Sequence, residues 1–231
     1  MDTSPSSVVP IPSAVGLRRT VTQHLMRSIF TGKMTSGDRL VVTKLAGQLG
    51  VSATPVREAL VELHNIGLVD LLPNRGGVCL PFGVRQLREI YHIRRILEVE
   101  TIRLACGHIP KKQLVSLTQA FEALAMQDCM DPDWSPRAID YDIALHTLIA
   151  EHCGNSRICH ELDRYAVMMR AIREVAGNQR DIQKQAIDDH LQIISALMDG
   201  DASAASRAMS RHIDHTAVNV EPLIFKGDKP G

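Results

Sequence analysis

The chain has 231 residues, with 26 Lys/Arg against 26 Asp/Glu, and is 45% hydrophobic but only 3% aromatic. That length allows one large or two modest domains, and a core of Leu, Ile, Val, Ala and Met suits helices better than a β-sandwich. The zero net charge is unevenly spread: residues 1–83 hold 8 Lys/Arg and 5 Asp/Glu, residues 84–231 hold 18 and 21, so only the front is suited to an anionic partner.

Five cysteines, an odd count with no CxxC pair, argue against a disulfide framework. The first residues are polar and Pro/Ser-rich, unlike a signal peptide, and no apolar run approaches the roughly 20 residues of a membrane span. Free thiols in a reducing cytoplasm are the simplest expectation, with no membrane partner.

Residues 1–14, with three prolines and four serines, read as a disordered lead-in. Leu17, Val21, Leu25, Ile29 and Phe30 then recur at helical spacing, and Gly32 ends that helix. Gly32 to Leu40 reads as a turn. From Thr43 to Leu63 the pattern is helix, turn, helix. Leu45, Ala46 and Leu49 share one face of the first segment, and Gly50 supplies a left-handed stop. Ser52 or Thr54 can cap the second segment, where Pro55 is tolerated in the first turn. Val56, Ala59, Leu60 and Leu63 form its apolar stripe, leaving Thr54, Arg57, Val61 and His64 elsewhere. A short helix with an apolar back and a small, cationic front suits a DNA major groove.

Leu68–Leu72 and Gly77–Pro81 are β-prone runs around a Pro73–Gly76 turn, so a hairpin is expected. Three helices and a hairpin make a winged helix-turn-helix over residues 15–82, with Arg75 at the wing tip able to reach a phosphate or a minor groove. Phe82 and Gly83 read as a linker. Beyond Val84 the chain reads as an all-α bundle of about six helices (84–107, 111–128, 135–153, 155–177, 179–199 and 201–220) spanning residues 84–220. Residues 221–231 read as a loose tail.

The run Leu49-Gly50-Val51-Ser52-Ala53-Thr54-Pro55-Val56-Arg57-Glu58-Ala59-Leu60 closely resembles the DNA-binding signature of the GntR superfamily. The helical half resembles the FCD-type effector domain of its FadR-like subgroup, through Arg94-Arg95-Ile96-Leu97-Glu98, Asp142 with His146, Gly154-Asn155, Asp189-His190, Gly200-Asp201 with Ala205, and His212-Ile213. The resemblance covers roughly residues 17–220. It implies a transcription regulator, a repressor or an activator, that binds a pseudo-palindromic double-stranded DNA operator as a homodimer. It also implies DNA contacts from Lys44 (or Thr43), Ser52, Thr54, Pro55, Arg57, Arg75 and Gly76. Many relatives carry Arg where this chain has Ala53, so base readout is expected to rest mainly on Arg57, whose fork can take a guanine edge bidentately. Lys44, Ser52 and Thr54 are suited to phosphates. The alternative for Arg57 is a surface pair with Glu58 or Glu62.

The chain has ten histidines. Asp142 and His146 are one helical turn apart. His190 precedes the Gly200 break by ten residues and His212 follows it by twelve. In an antiparallel hairpin both then lie about 15–18 Å from the turn and come level. Three imidazoles and a carboxylate converging in a bundle suit a divalent Zn, Ni, Co or Mn ion, and the four positions match the family's ligand pattern. His215, one turn after His212, is the nearest competing ligand. The resemblance further implies a small organic acid as effector, with Arg94 or Arg95 neutralising its charge. The linker and the first long helix of the bundle would carry the coupling. Two alternatives compete: a metal-dependent hydrolase with an accessory winged helix, and a regulator whose metal is purely structural. No HExxH-type motif favours the hydrolase, so no enzymatic activity is expected.

Overall fold

The computed structural model describes residues 14–73, 75–176 and 180–225. Of the lead-in expected over residues 1–14, all but Ala14 lie outside the described residues, as do Asn74, residues 177–179 and the end of the tail from residue 226.

Helices α1 (Ala14–Phe30), α2 (Val42–Leu49) and α3 (Ala53–Asn65) form a small domain with strands β1 (Arg39–Leu40), β2 (Val69–Leu72) and β3 (Gly76–Cys79). Its core is the expected one: Val21, Leu25 and Ile29 of α1 are buried with Val56, Ala59, Leu60 and Leu63 of α3. Gly50 closes α2 at φ 65°, its N–H reaching Ala46 O. The conformation is left-handed, which glycine adopts without steric penalty.

The sheet corrects one expectation. Its order is β1-β3-β2, all antiparallel, so the hairpin gains a third strand inside the segment read as a turn. The reason lies in β3. Gly76 has φ +93°, and a Cβ there would sit 2.0 Å from the carbonyl oxygen of Leu40; one on Gly77 would meet Val69 Cγ1 at 2.5 Å. Two residues without side chains let β3 fit closely between its neighbours.

The bundle comprises α4 (Val84–Ala105), α5 (Lys111–Met126), α6 (Trp134–Glu151), α7 (Ser156–Ala176), α8 (Arg180–Met198) and α9 (Ala202–Ile224). Gly200, at φ 71°, makes the α8–α9 turn, and Asp201 Oδ1 caps α9 by accepting from Ala204 N at 2.8 Å. That cap satisfies one of the amides left unpaired at a helix start.

Here the second correction falls. Helix α9 continues through Pro222 to Ile224, where a loose tail was expected from residue 221. Proline removes the N–H that would bond the Val218 carbonyl, but burial of Val220 and Ile224 and the ring contact of Phe225 with Phe82 hold the last turn in place.

The two units meet around the linker. Phe82 packs between Phe30 of α1 and Phe225, with ring centroids at 4.8 and 5.9 Å. Gly83 starts α4, and its N–H donates to Gln86 Oε1 at 3.0 Å. Helix α7 reaches the small domain too: Glu174 pairs with Arg27 of α1 at 3.4 Å, and Arg164 donates to the Asn65 carbonyl at the end of α3.

Candidate functional site

The front of α3 presents Ser52, Thr54 and Arg57 as exposed side chains, with Lys44 exposed on α2. Ser52 is the N-cap residue, but its hydroxyl makes no cap bond. Arg57 forms no ion pair among the described residues. Its expected alternative partner Glu62 instead accepts from Thr22 Oγ1 at 2.9 Å and faces Arg18 at 3.9 Å. Arg75 is exposed beside β3.

Two members of the expected set stand differently. Pro55 is buried in the first turn of α3 and shapes the helix start instead of presenting a surface. Gly76 is placed where a β-carbon cannot fit, which is a packing requirement in its own right.

In the bundle, α6 contributes Asp142 and His146, α8 His190 and α9 His212, and their ligand atoms all lie within 4.8 Å of one another. The level placement of the last two across Gly200 brings their Nε2 atoms to 3.3 Å. His146 Nε2 is 3.4 Å from His212 Nε2, and Asp142 Oδ1 lies 3.2 Å from His190 Nε2 and 3.8 Å from His146 Nε2. Donors around a zinc-like ion with bonds of about 2.0–2.2 Å are spaced by roughly 3.4 Å at tetrahedral angles. The residues therefore fit such an ion in number, type and spacing.

Their protonation states suit it as well. Burial pushes His190 down from the ordinary imidazole value, and burial and the adjacent His190 push His212 down to about 3. Burial alone would raise the Asp142 carboxyl, but Arg173, His146 and His190 together hold it well below the usual range. At neutral pH the cluster thus offers neutral His190 and His212 and an ionised carboxylate, the forms that ligate metal.

Surrounding side chains aim the donors. Glu98 of α4 contacts His146 Nδ1, and Asp189 Oδ2 lies 3.8 Å from His212 Nδ1. Carboxylates on the far ring nitrogen fix tautomer and orientation. His190 Nδ1 and His212 Nδ1 are both buried without a hydrogen-bond partner, Asp189 lying beyond bonding distance of the latter. His215, the nearest competing ligand, bonds Asp189 Oδ2 at 2.9 Å and is not among the four converging residues.

The two arginines expected at the effector position separate. Arg94 is buried at the site, 3% exposed, but is held by Glu98 and lies 3.6 Å from Met169 Sδ. Arg95 does not line the cluster; it reaches across to Asp214 of α9 at 3.6 Å. The expectation for Arg95 is corrected by helix phase, one residue turning it some 100° from Arg94.

Sequence reasoning missed Arg173 of α7, whose Nη2 lies 2.5 Å from Asp142 Oδ2 as a close ion pair without aligned hydrogen-bond geometry. No spacing signal pointed to it. Glu98 was visible at i+4 from Arg94 but was given no role.

The described helices include none long and apolar enough to cross a membrane. Residues 89–215 match the FCD domain, and residues 17–78 match the bacterial regulatory proteins of the gntR family. The transcriptional regulator McbR of Escherichia coli is 36% identical over 110 residues, 48% of this chain and 50% of that protein. The transcriptional repressor RspR of Escherichia coli is 24% identical over 201 residues, 86% of each chain. The solved structure of E. coli McbR/YncC superposes with a TM-score of 0.65 at 24% identity, covering 88% of this chain and 96% of that one, a likeness of fold. The chain is a DNA-binding transcriptional regulator that belongs to the gntR family, with an FCD domain as its bundle.

Proposed function

We propose that operator affinity in this regulator is set by a small organic acid captured beside a divalent metal ion in the bundle. The observation that supports it most is the convergence of Asp142, His146, His190 and His212, buried or nearly so, with an arginine on either flank. Asp142 and the three imidazoles would hold the ion. Bound there, it would supply a positive charge to an anionic ligand. Glu98 orients His146, Asp189 lends a negative charge near His212, and Arg173 offers a guanidinium beside Asp142. Glu98, the carboxylate against His146, is engaged by Arg94 and His146, which argues against it as a general base.

Lys44, Ser52, Thr54, Arg57 and Arg75 form the DNA-contacting set. Arg57 reads a base edge; the others hold phosphates and set register. A homodimer would place two such faces on a pseudo-palindrome. Ile93 and Ile96, one turn apart on α4 and 44% and 58% exposed, offer apolar surface for a second copy. Coupling between bundle and DNA would run through the linker at Phe82 and Gly83 and the first long helix, α4, and also through α7, which pairs with α1.

The test is operator DNA selected from random sequence, titrated by fluorescence anisotropy with metal-loaded protein and a panel of organic acids. The reading holds when one acid shifts operator affinity by about 5–150-fold, the usual range of allosteric coupling. Saturation of the bundle by an acid without any change in operator affinity would end it.

A further inference from the structure

Asp142 and Arg173 line two cavities. In one, Arg94, Glu98, His146, Asp163 and Tyr165 bring charged and polar groups to walls shared with Ile143, Leu162 and Met169, and Arg94 is already held by Glu98. The other, between α6, α8 and α9, is a cleft walled by Ile139, Ile182, Ile187, Val220 and Leu223.

Polar residues also line this cleft, but most of their polar groups are committed, Thr216 for instance donating to the His212 carbonyl at 2.9 Å. Asn219 donates to Gln185 at 3.0 Å, and His215 is tied to Asp189. Gln183 donates through Nε2 to Ser135 Oγ at 2.6 Å, yet its Oε1 is buried with no partner. Leaving such an acceptor unanswered costs free energy. Arg173, paired with Asp142 through Nη2, lines both cavities.

An apolar cleft with a few convergent polar groups is the usual architecture of a small-molecule site. We infer that this cleft takes the hydrocarbon part of a monocarboxylate, whose carboxylate pairs with Arg173 and whose hydroxyl or amine, where present, donates to Gln183 Oε1. The inference rests on the effector reading above and specifies its ligand class. A di- or tricarboxylate is disfavoured. Its further charges would lie among Ile182, Val220 and Leu223, with Asp142 and Asp189 as the neighbouring ions, and a buried charge without a partner is expensive.

The test uses the full-length, zinc-loaded protein and isothermal titration with acetate, butyrate, hexanoate and citrate. Affinity is expected to rise about fourfold per added methylene until the cleft is full, with citrate weaker than hexanoate. Ala186→Leu, which adds bulk to the cleft wall without removing a polar group, should flatten the series while zinc content and the thermal midpoint stay unchanged. Leu223→Asn should flatten it by a different route. A series that is flat in the wild-type protein, or that survives Ala186→Leu, overturns the assignment. If acetate and citrate bind and shift operator affinity with no dependence on chain length, only the cleft is wrong. If no carboxylate binds at all, the effector reading falls with it.

Discussion

Arg173 and Glu174 are consecutive on α7, yet one pairs into the Asp/His cluster and the other into the winged-helix unit: Arg173 pairs with Asp142 at 2.5 Å and Glu174 with Arg27 of α1 at 3.4 Å. A ligand that competes for Arg173 therefore acts on a helix already bonded to the reading head. Glu174→Gln removes the second contact, with the Arg170–Glu174 pair inside α7, and leaves the first, so Arg170→Gln serves as the control. An exposed pair contributes up to about 1 kcal/mol. The ratio of operator affinities with and without effector should shrink by up to about fivefold, with effector affinity itself unchanged. Anisotropy titrations of both variants with and without ligand measure this, and an unaltered ratio removes α7 from the coupling route.

Arg57 and Lys44 should separate cleanly as reader and anchor. Arg57→Ala should lose about 1–3 kcal/mol of discrimination between operator and scrambled DNA, with metal content and fold intact. Lys44→Ala should weaken both DNAs alike and lower the slope of log affinity against log salt by about one. Competition binding at several salt concentrations distinguishes the two, and retained specificity in Arg57→Ala would remove it from base readout.

Metal content tests the cluster directly. His146→Ala with His190→Ala should strip zinc from the purified protein, read by elemental analysis. Glu98→Gln keeps all four ligands but weakens the carboxylate behind His146, so zinc affinity should fall about 10–100-fold. Chelation should lower the wild-type thermal midpoint and leave the double variant unmoved, because an ion that binds only the native state stabilises it. Equal zinc occupancy in the double variant would mean that the ligands lie elsewhere.

Acid should destabilise the chelated protein earlier than carboxylate titration alone predicts. The buried His190 and His212 have folded-state values below the ordinary one, His212 at about 3. As pH falls below about 6.5 the unfolded chain takes up these protons first. Their contribution is complete above that pH and is lost on the way down toward the folded value. Glu98 and Asp142, also held low, add the same sign below about pH 4.5. Thermal midpoints should decline from about pH 6.5, and His212→Asn should flatten the upper part of that decline. A midpoint constant down to pH 5 in chelated wild type would contradict the burial of neutral imidazoles.

Gly76 and Arg75 are neighbours with opposite roles. Gly76→Ala places a methyl against the Leu40 carbonyl at a left-handed φ, and should cost about 2 kcal/mol or more in chemical denaturation, within the range for strained backbone sites. Arg75→Ala should leave stability within about 0.5 kcal/mol and weaken DNA binding. A stable Gly76→Ala would show that β1 is dispensable to the sheet.

Much of this architecture was legible because helices announce themselves locally. The bundle helices before α9 end within about two residues of the boundaries that apolar spacing and glycines mark. Counting residues either side of Gly200 sufficed to bring His190 opposite His212. What escaped depends on partners remote in sequence. Strand β1 is two residues long and exists because β3 lacks side chains where it approaches. Arg173 has no local signature, since its role comes from α7 lying against α6. The persistence of α9 through Pro222 is decided by Phe82, 140 residues earlier, a contact that no window along the chain contains.

The stack of Phe30, Phe82 and Phe225 makes the linker a meeting point for both ends of the described chain. Residues that resemble a dispensable tail therefore brace the linker, and truncating the protein before Val220 would remove that brace while leaving Lys44, Arg57, Arg75 and the Asp142, His146, His190 and His212 cluster in the chain. On the proposed function, a deletion of this kind uncouples operator affinity from the effector, and a tag or fusion partner joined immediately after Phe225 presses on the same aromatic contact.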